Sequence, residues 1–137
     1  MTKDHSLSSA IHLLGALAAR HPESLNSEML ALSMQTNAGV VRRLLSRLVK
    51  AGLVETRRGY GGGSFLAKSP EKITIKAIYL ALGHKPIFRS FEKKPHKPCY
   101  VSCGIGAALE SIYDGFEKTL LKDMEKITLR EVIDKLK

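Results

Sequence analysis

Apolar residues in the first third of the chain recur at helical spacing. Leu7, Ala10, Ile11, Leu14, Leu17 and Ala18 mark one face, and Leu13 and Ala16 widen it, so the pattern predicts a helix buried on most sides that ends before His21-Pro22. A second, short helix is expected from Ser27 as N-cap, with Glu28 in the first turn and Leu30, Ala31 and Met34 on one face. Gln35-Thr36-Asn37 then form a polar break, and Thr36 or Asn37 can cap a third helix running to about Lys50. In that helix Val41, Leu44, Leu45 and Leu48 fall at i, i+3, i+4 and i+7, a single apolar stripe. The opposite face carries Arg42, Arg43, Ser46 and Arg47.

The pattern changes at Ala51-Gly52, where a glycine closes the helix. Leu53 to Arg57 reads as a strand, Gly59-Tyr60-Gly61-Gly62-Gly63 as a loop, and Ser64 to Ala67 as a returning strand, which together predict a hairpin with a glycine-rich tip. A fourth helix is expected over Ile73 to Leu82, stopped by Gly83. Residues 84–98, with Pro86, Pro95 and Pro98 among lysines, read as a loop or linker with a short strand at Ile87-Phe88. From about Ser102 to Lys126 a long helix places Ile105, Leu109, Ile112, Phe116 and Leu120 at spacings of three or four, close to a heptad seam. Thr128 and Glu131 form a capping box that starts a last short helix. The expected fold class is mainly α with a small β-hairpin, in the order of a winged helix-turn-helix followed by a long helix, and it divides into residues 1–83, a basic linker over 84–101, and the long and C-terminal helices over 102–137.

Charge adds a partner to this outline. The 137 residues, one domain's worth of chain, carry 22 Lys and Arg against 13 Asp and Glu, a formal +9 with a pI near 9.7. The excess is local: residues 36–68 hold seven basic and one acidic residue, residues 69–98 seven and two, and each flank is acidic by one. Such a block favours a polyanion, nucleic acid before a membrane surface. Scattered aromatics without Trp argue against a stacking platform for single strands. Two cysteines do not make a disulfide scaffold, no stretch approaches the roughly 18 apolar residues of a membrane span, and no signal-peptide pattern opens the chain. A cytoplasmic, reducing compartment is expected.

Three helices and a hairpin in this order suit the major groove of double-stranded DNA. Asn37, Ala38, Gly39, Arg42 and Arg43 lie at the start of the third helix, where side chains meet base edges. Arg42 or Arg43 has the fork for guanine O6 and N7, and the small Ala38 and Gly39 allow close approach. Ser46, Arg47 and Lys50 are placed for phosphates. Arg57 and Arg58 precede the glycine tip, so the hairpin can carry an arginine into a narrow minor groove. A basic helix face can also be only a solvated face, and the glycines can serve only positive φ in a tight turn. Two other readings compete for the same residues. A nucleotide site would need a helix after the glycines and a final Gly-Lys-Ser or Gly-Lys-Thr, and neither follows. A winged-helix protein-interaction module without sequence-specific DNA binding remains the alternative.

Leu30-Ala31, Val41, Leu44, Leu48, Ala51-Gly52-Leu53-Val54 and the wing Arg58-Gly59-Tyr60-Gly61-Gly62-Gly63-Ser64-Phe65-Leu66-Ala67 resemble the Rrf-two family of bacterial winged-helix transcriptional regulators. Ile73-Thr74-Ile75, Cys99 and Cys103, and Ile127-Thr128-Leu129 follow in the family's order, so the resemblance covers almost the whole chain. It implies base contacts from Asn37, Gly39 and Arg42, minor-groove contact from Thr56 and Arg58, with Tyr60 in the same wing, and a homodimer paired through the long helix. Such a regulator, most often a repressor, binds a palindromic operator.

The resemblance also implies a sensor, since many members hold an iron-sulfur cluster through three cysteines before the long helix and a ligand from the partner subunit. This chain has Cys99 and Cys103 only. Four ligands are the rule and Cys-x3-Cys is not a common ferredoxin spacing, so even with His96 and with Asp4 or His5 of the partner subunit a cluster is not favoured. Zinc on His96, Cys99 and Cys103 lacks a fourth ligand. Neither cofactor nor metal is expected. Beside His96 and Lys97, near a helix start, the two thiols are candidates for redox or effector sensing, or else inert thiols at a helix start. His12, His21 and His84 read as ordinary helix, turn and linker residues. No catalytic constellation is visible, so an enzyme is not expected.

Overall fold

The computed structural model describes residues 5–83, 85–90 and 93–136; Asp4 and His84 lie outside them. The chain forms two compact units, residues 1–84 with 124–137, and residues 85–123. In chain order the elements are α1 (Ser6–Arg20), α2 (Ser27–Met34), α3 (Ala38–Lys50), β1 (Val54–Arg57), β2 (Gly63–Leu66), a 3-10 turn (Pro70–Lys72), α4 (Ile75–Ala81), α5 (Tyr100–Glu125) and α6 (Leu129–Asp134). No helix among the described residues is long and apolar enough to cross a membrane.

The first unit is built on α1, whose Ala10, Leu13, Leu14 and Leu17 are buried. It packs against α2, β2, α4 and α6. Each such leucine contributes roughly 1.5–3 kcal/mol by leaving water. The stripe Val41, Leu44, Leu45 and Leu48 turns α3 toward the same core, and Leu53 and Val54 carry it into the hairpin. The strands pair antiparallel from Val54 with Leu66 to Arg57 with Gly63.

Two local expectations shift, each because backbone distant in sequence pairs there. The cap of α2 is Asn26 rather than Ser27, with Asn26 Oδ1 accepting from Met29 N at 2.8 Å. Leu25 exchanges backbone hydrogen bonds with Ser64, 3.2 and 2.9 Å, which holds the preceding chain extended and leaves Asn26 at the helix entrance. The fourth helix begins at Ile75, not Ile73, capped by Thr74 Oγ1 accepting from Ala77 N. Leu129 N donates to Ile73 O at 2.8 Å and Ile75 N to Ile127 O at 2.9 Å, so the approaches to α4 and α6 run antiparallel side by side. Thr128 caps α6 as expected, its Oγ1 accepting from Glu131 N at 3.3 Å.

In the second unit Ile87-Phe88 forms a bend and not a strand. Phe88 instead lies against Tyr113 and Phe116 of α5, with ring centroids 5.5 and 5.9 Å away. The aromatic contact supplies what a lone two-residue strand lacks, a partner. Helix α5 spans 26 residues, beginning two residues before the expected start, and none of its side chains is buried within the chain.

Candidate nucleic-acid interface

With its apolar stripe inward, α3 presents Arg42, Arg43, Ser46, Arg47 and Lys50 to solvent. These cations differ in what already holds them. Arg42 approaches Glu28 of α2 at 3.7 Å, an exposed pair of little intrinsic worth. Arg47 Nη1 donates to the Leu82 carbonyl at 2.9 Å, tying α3 to the C-terminal end of α4, where a cation also suits the helix dipole. Among the described residues Arg43 and Lys50 have no hydrogen-bond or ion-pair partner. At the start of the helix Asn37 is the N-cap, with Oδ1 accepting from Val40 N at 3.0 Å. A Cβ on Gly39 would stand 3.1 Å from that oxygen, so the glycine leaves room for the cap. Between α3 and β1 an open groove is lined by Arg42, Leu45, Ser46, Val49, Lys50 and Thr56.

The wing beside this helix is pinned. Gly59 and Gly61 take φ of 93° and 75°, and Gly62 N donates to Gly59 O at 2.9 Å to close the tip. A side chain at Gly62 would collide with the carbonyl oxygens of Arg57 and Gly59. Ser24, in the loop between α1 and α2, donates through its hydroxyl to Gly62 O at 2.8 Å. Together with the Leu25–Ser64 pairing this anchors the hairpin to the core. Ser24 is not among the expected site residues, because its partners lie 37 and 38 residues away and no motif marks a serine as a wing anchor.

Strand alternation separates the wing arginines. The Arg57 guanidinium lies over the Phe65 ring, 4.4 Å from its centroid, with Glu55 at 3.9 Å. Arg58 follows the strand and has no partner among the described residues, and Tyr60 at the apex is fully exposed. Thr56 points the other way, into the groove beside α3. The structure thus brings Arg42, Ser46, Lys50 and Thr56 together around one groove, with Arg43 and Arg58 exposed in the same unit.

Cys99 and Cys103 lie in the other unit, at the start of α5, and are free thiols. Cys99 Sγ takes the capping position, accepting from Ser102 N at 3.5 Å. Cys103 is exposed and its Sγ stands 3.8 and 3.7 Å from the carbonyls of His96 and Lys97. His96 N donates to Ser102 Oγ at 2.8 Å, closing the turn. Both sulfurs are thus engaged by the helix start, and among the described residues no three His, Cys, Asp or Glu side chains gather as a metal site. Two thiolates in the whole chain fall short of the usual four ligands, so its residues do not fit an iron-sulfur cluster.

The Rrf2 family model, described as an iron-dependent transcriptional regulator, matches residues 4–135. YwnA of Bacillus subtilis (strain 168), which carries the name of an HTH-type transcriptional regulator, is 30% identical over 130 residues, 95% of this chain and 96% of that protein. Among solved structures, IscR of T. potens aligns with a TM-score of 0.73 at 20% identity, over 100% of this chain and 89% of that one. CymR of B. subtilis, named the global cysteine regulator, aligns with a TM-score of 0.65 at 20% identity, over 98% and 97%. At that identity the two structures establish the fold, and the helix-turn-helix with its wing is what they share with this chain. The chain belongs to the Rrf2 family of DNA-binding transcriptional regulators.

Proposed function

We propose that this protein is a cytoplasmic repressor that binds a palindromic operator as a homodimer. The observation that carries the reading is the surface of α3 and the anchored wing, where Arg43, Lys50 and Arg58 stand uncommitted among the described residues on elements the core holds rigid. In this reading Asn37, Ala38, Gly39, Arg42 and Arg43 face base edges in the major groove, while Ser46, Lys50 and the remaining donors of Arg47 meet phosphates. Thr56 and Arg58 enter the minor groove, flanked by Arg57 and Tyr60. Residues 1–83 act as the reading head and 84–101 as the linker that receives a signal. The long helix within residues 102–137 pairs the subunits through Ile105, Leu109, Ile112, Phe116 and Leu120. The exposure of Ile105, Ile112 and Phe116, at 38%, 51% and 52%, supports a partner for that helix. Repression by occlusion then requires only that the operator be occupied, and thiol chemistry at Cys99 and Cys103, beside His96, modulates occupancy.

In vitro selection from random duplexes, followed by competition at fixed salt, tests this. The expected result is an enriched palindrome bound at least tenfold more tightly than random DNA. A preference below tenfold for every enriched sequence favours the protein-interaction module instead.

A further inference from the structure

We propose that Glu28 is a specificity-determining residue that holds Arg42 in the plane in which it reads a guanine, an inference that rests on the major-groove placement of α3 proposed above. Glu28 lies in the first turn of α2, and its Oε1 stands 3.7 Å from Arg42 Nη2 on α3. The two helices pack together within one compact unit. Glu28 is the only acidic residue in the chain between Glu23 and Glu55, so a single carboxylate stands on an otherwise basic helix-turn-helix. A carboxylate there repels phosphates, and the fold does not require it. Helix α2 already has Asn26 as its cap, and an exposed ion pair at this distance adds little stability. A negative charge in the first turn suits the helix dipole wherever it points; this one points at Arg42.

What the pair supplies is orientation. A guanidinium carries its N–H donors in a rigid planar fork, and two of them must face guanine O6 and N7 together. Nη2 has a hydrogen on each of the two edges that can grip a base, so a carboxylate on one edge leaves the other with both of its donors. Arg42 also lines the groove between α3 and β1 with Ser46 and Thr56, so the fork is held where a duplex would cover it. When DNA displaces water from that groove, the attraction between the two charges strengthens. A buttressed arginine loses less side-chain freedom on gripping a base than a free one does. On random DNA the fork finds no guanine at the right place, and the carboxylate beside it opposes a retreat to phosphate. Glu28 thus weakens the competing complexes while favouring the right one.

In vitro selection with the full chain yields the operator, which is then scanned by base-pair substitution with the wild type, Glu28→Ala, Arg42→Ala and the double variant, using fluorescence anisotropy at fixed salt. The wild type is expected to prefer guanine at one base pair of each half-site by about tenfold, and Arg42→Ala to remove that preference. Glu28→Ala should lower it to within about threefold at the same base pair, while random DNA binds as tightly as before or more tightly because a negative charge is gone. The double variant should match Arg42→Ala. A merely structural role would weaken operator and random DNA by one factor and leave the guanine preference intact. That outcome overturns the assignment, as does a change at a different base pair from the one Arg42→Ala affects, or an operator at which Arg42→Ala changes no base preference. If the wild type shows no tenfold preference for any enriched sequence, the proposed function fails and this inference with it. A selective wild type whose guanine preference survives Glu28→Ala in full sinks this inference alone.

Discussion

Arg57 and Arg58 are neighbours in sequence and unequal in the fold. The first is stacked on Phe65 at 4.4 Å and near Glu55 at 3.9 Å, while the second is uncommitted among the described residues. Moving Arg57 into a minor groove means giving up the ring, whereas Arg58 brings its whole charge. Arg58→Ala is therefore expected to weaken binding to the selected operator by about 1–3 kcal/mol, and Arg57→Ala by less than about 1 kcal/mol, measured by fluorescence anisotropy at fixed salt. Equal losses would falsify this division of labour. The sequence places both arginines at the wing but cannot rank them, because the ranking comes from the cross-strand register that sets Phe65 beside Glu55. Asn37 is similar: its position at the start of α3 is legible, but one side-chain oxygen already serves Val40 N, leaving only the amide NH2 to donate.

Elements matter through the ties that fix them. The wing is held by Ser24 on Gly62 O and by a tip that a Cβ at Gly62 would disrupt. Gly62→Ala should then lower operator affinity about as much as Arg58→Ala does, and the double substitution should cost little more than either alone. A fully additive double-mutant cycle would show that the tip conformation does not place Arg58. For α3 the tie is Arg47 on Leu82 O, an exposed charged hydrogen bond worth about 1 kcal/mol once solvent screening is allowed for. Arg47→Ala is expected to cost that stability in urea unfolding. It should also weaken operator and random DNA by the same factor, with the salt slope reduced by about one; a selective loss on the operator would assign Arg47 to base reading. Helices α1 and α3, the hairpin and the Thr128 cap were legible because periodicity, glycines and capping residues act within a few positions. The Asn26 cap, the start of α4 and the bend at Ile87-Phe88 were not. They depend on Leu25 pairing with Ser64, Ile73 with Leu129, and Phe88 with Tyr113, which no window of local sequence contains.

At the scale of the molecule the chain's last helix returns to the reading head. Leu129 is fully buried there and Arg130 Nε donates to Glu71 at 2.8 Å. A hydrogen bond from its own backbone, and then Arg130, hold the Glu71 carboxyl below its ordinary value of 4.5. A lowered carboxyl contributes stability that is complete above pH 4.5 and is lost as pH falls through the folded value, so Arg130→Ala should flatten the loss of stability below pH 4.5 in urea titrations. The second unit raises a different question, since a 26-residue helix with no residue buried in its own chain leaves Ile105, Ile112 and Phe116 in water. Phe116 has Phe88 as a neighbour, at 5.9 Å, whereas Ile112 is 51% exposed and sits mid-seam, which makes it the cleaner site for disruption. Ile112→Glu places a carboxylate where the proposed homodimer would bury an isoleucine, a cost of several kcal/mol for each copy. The wild type is expected to sediment as a dimer at micromolar concentration and Ile112→Glu as a monomer. If two heads share one operator, joining them raises the effective concentration of the second toward millimolar, so the monomer should lose at least a hundredfold on the full palindrome. On a duplex carrying a single half-site the two proteins should bind alike, because one head suffices there. Loss on the half-site as well would mean that the substitution damages the head, and a dimer that survives Ile112→Glu would move the interface away from this face of α5.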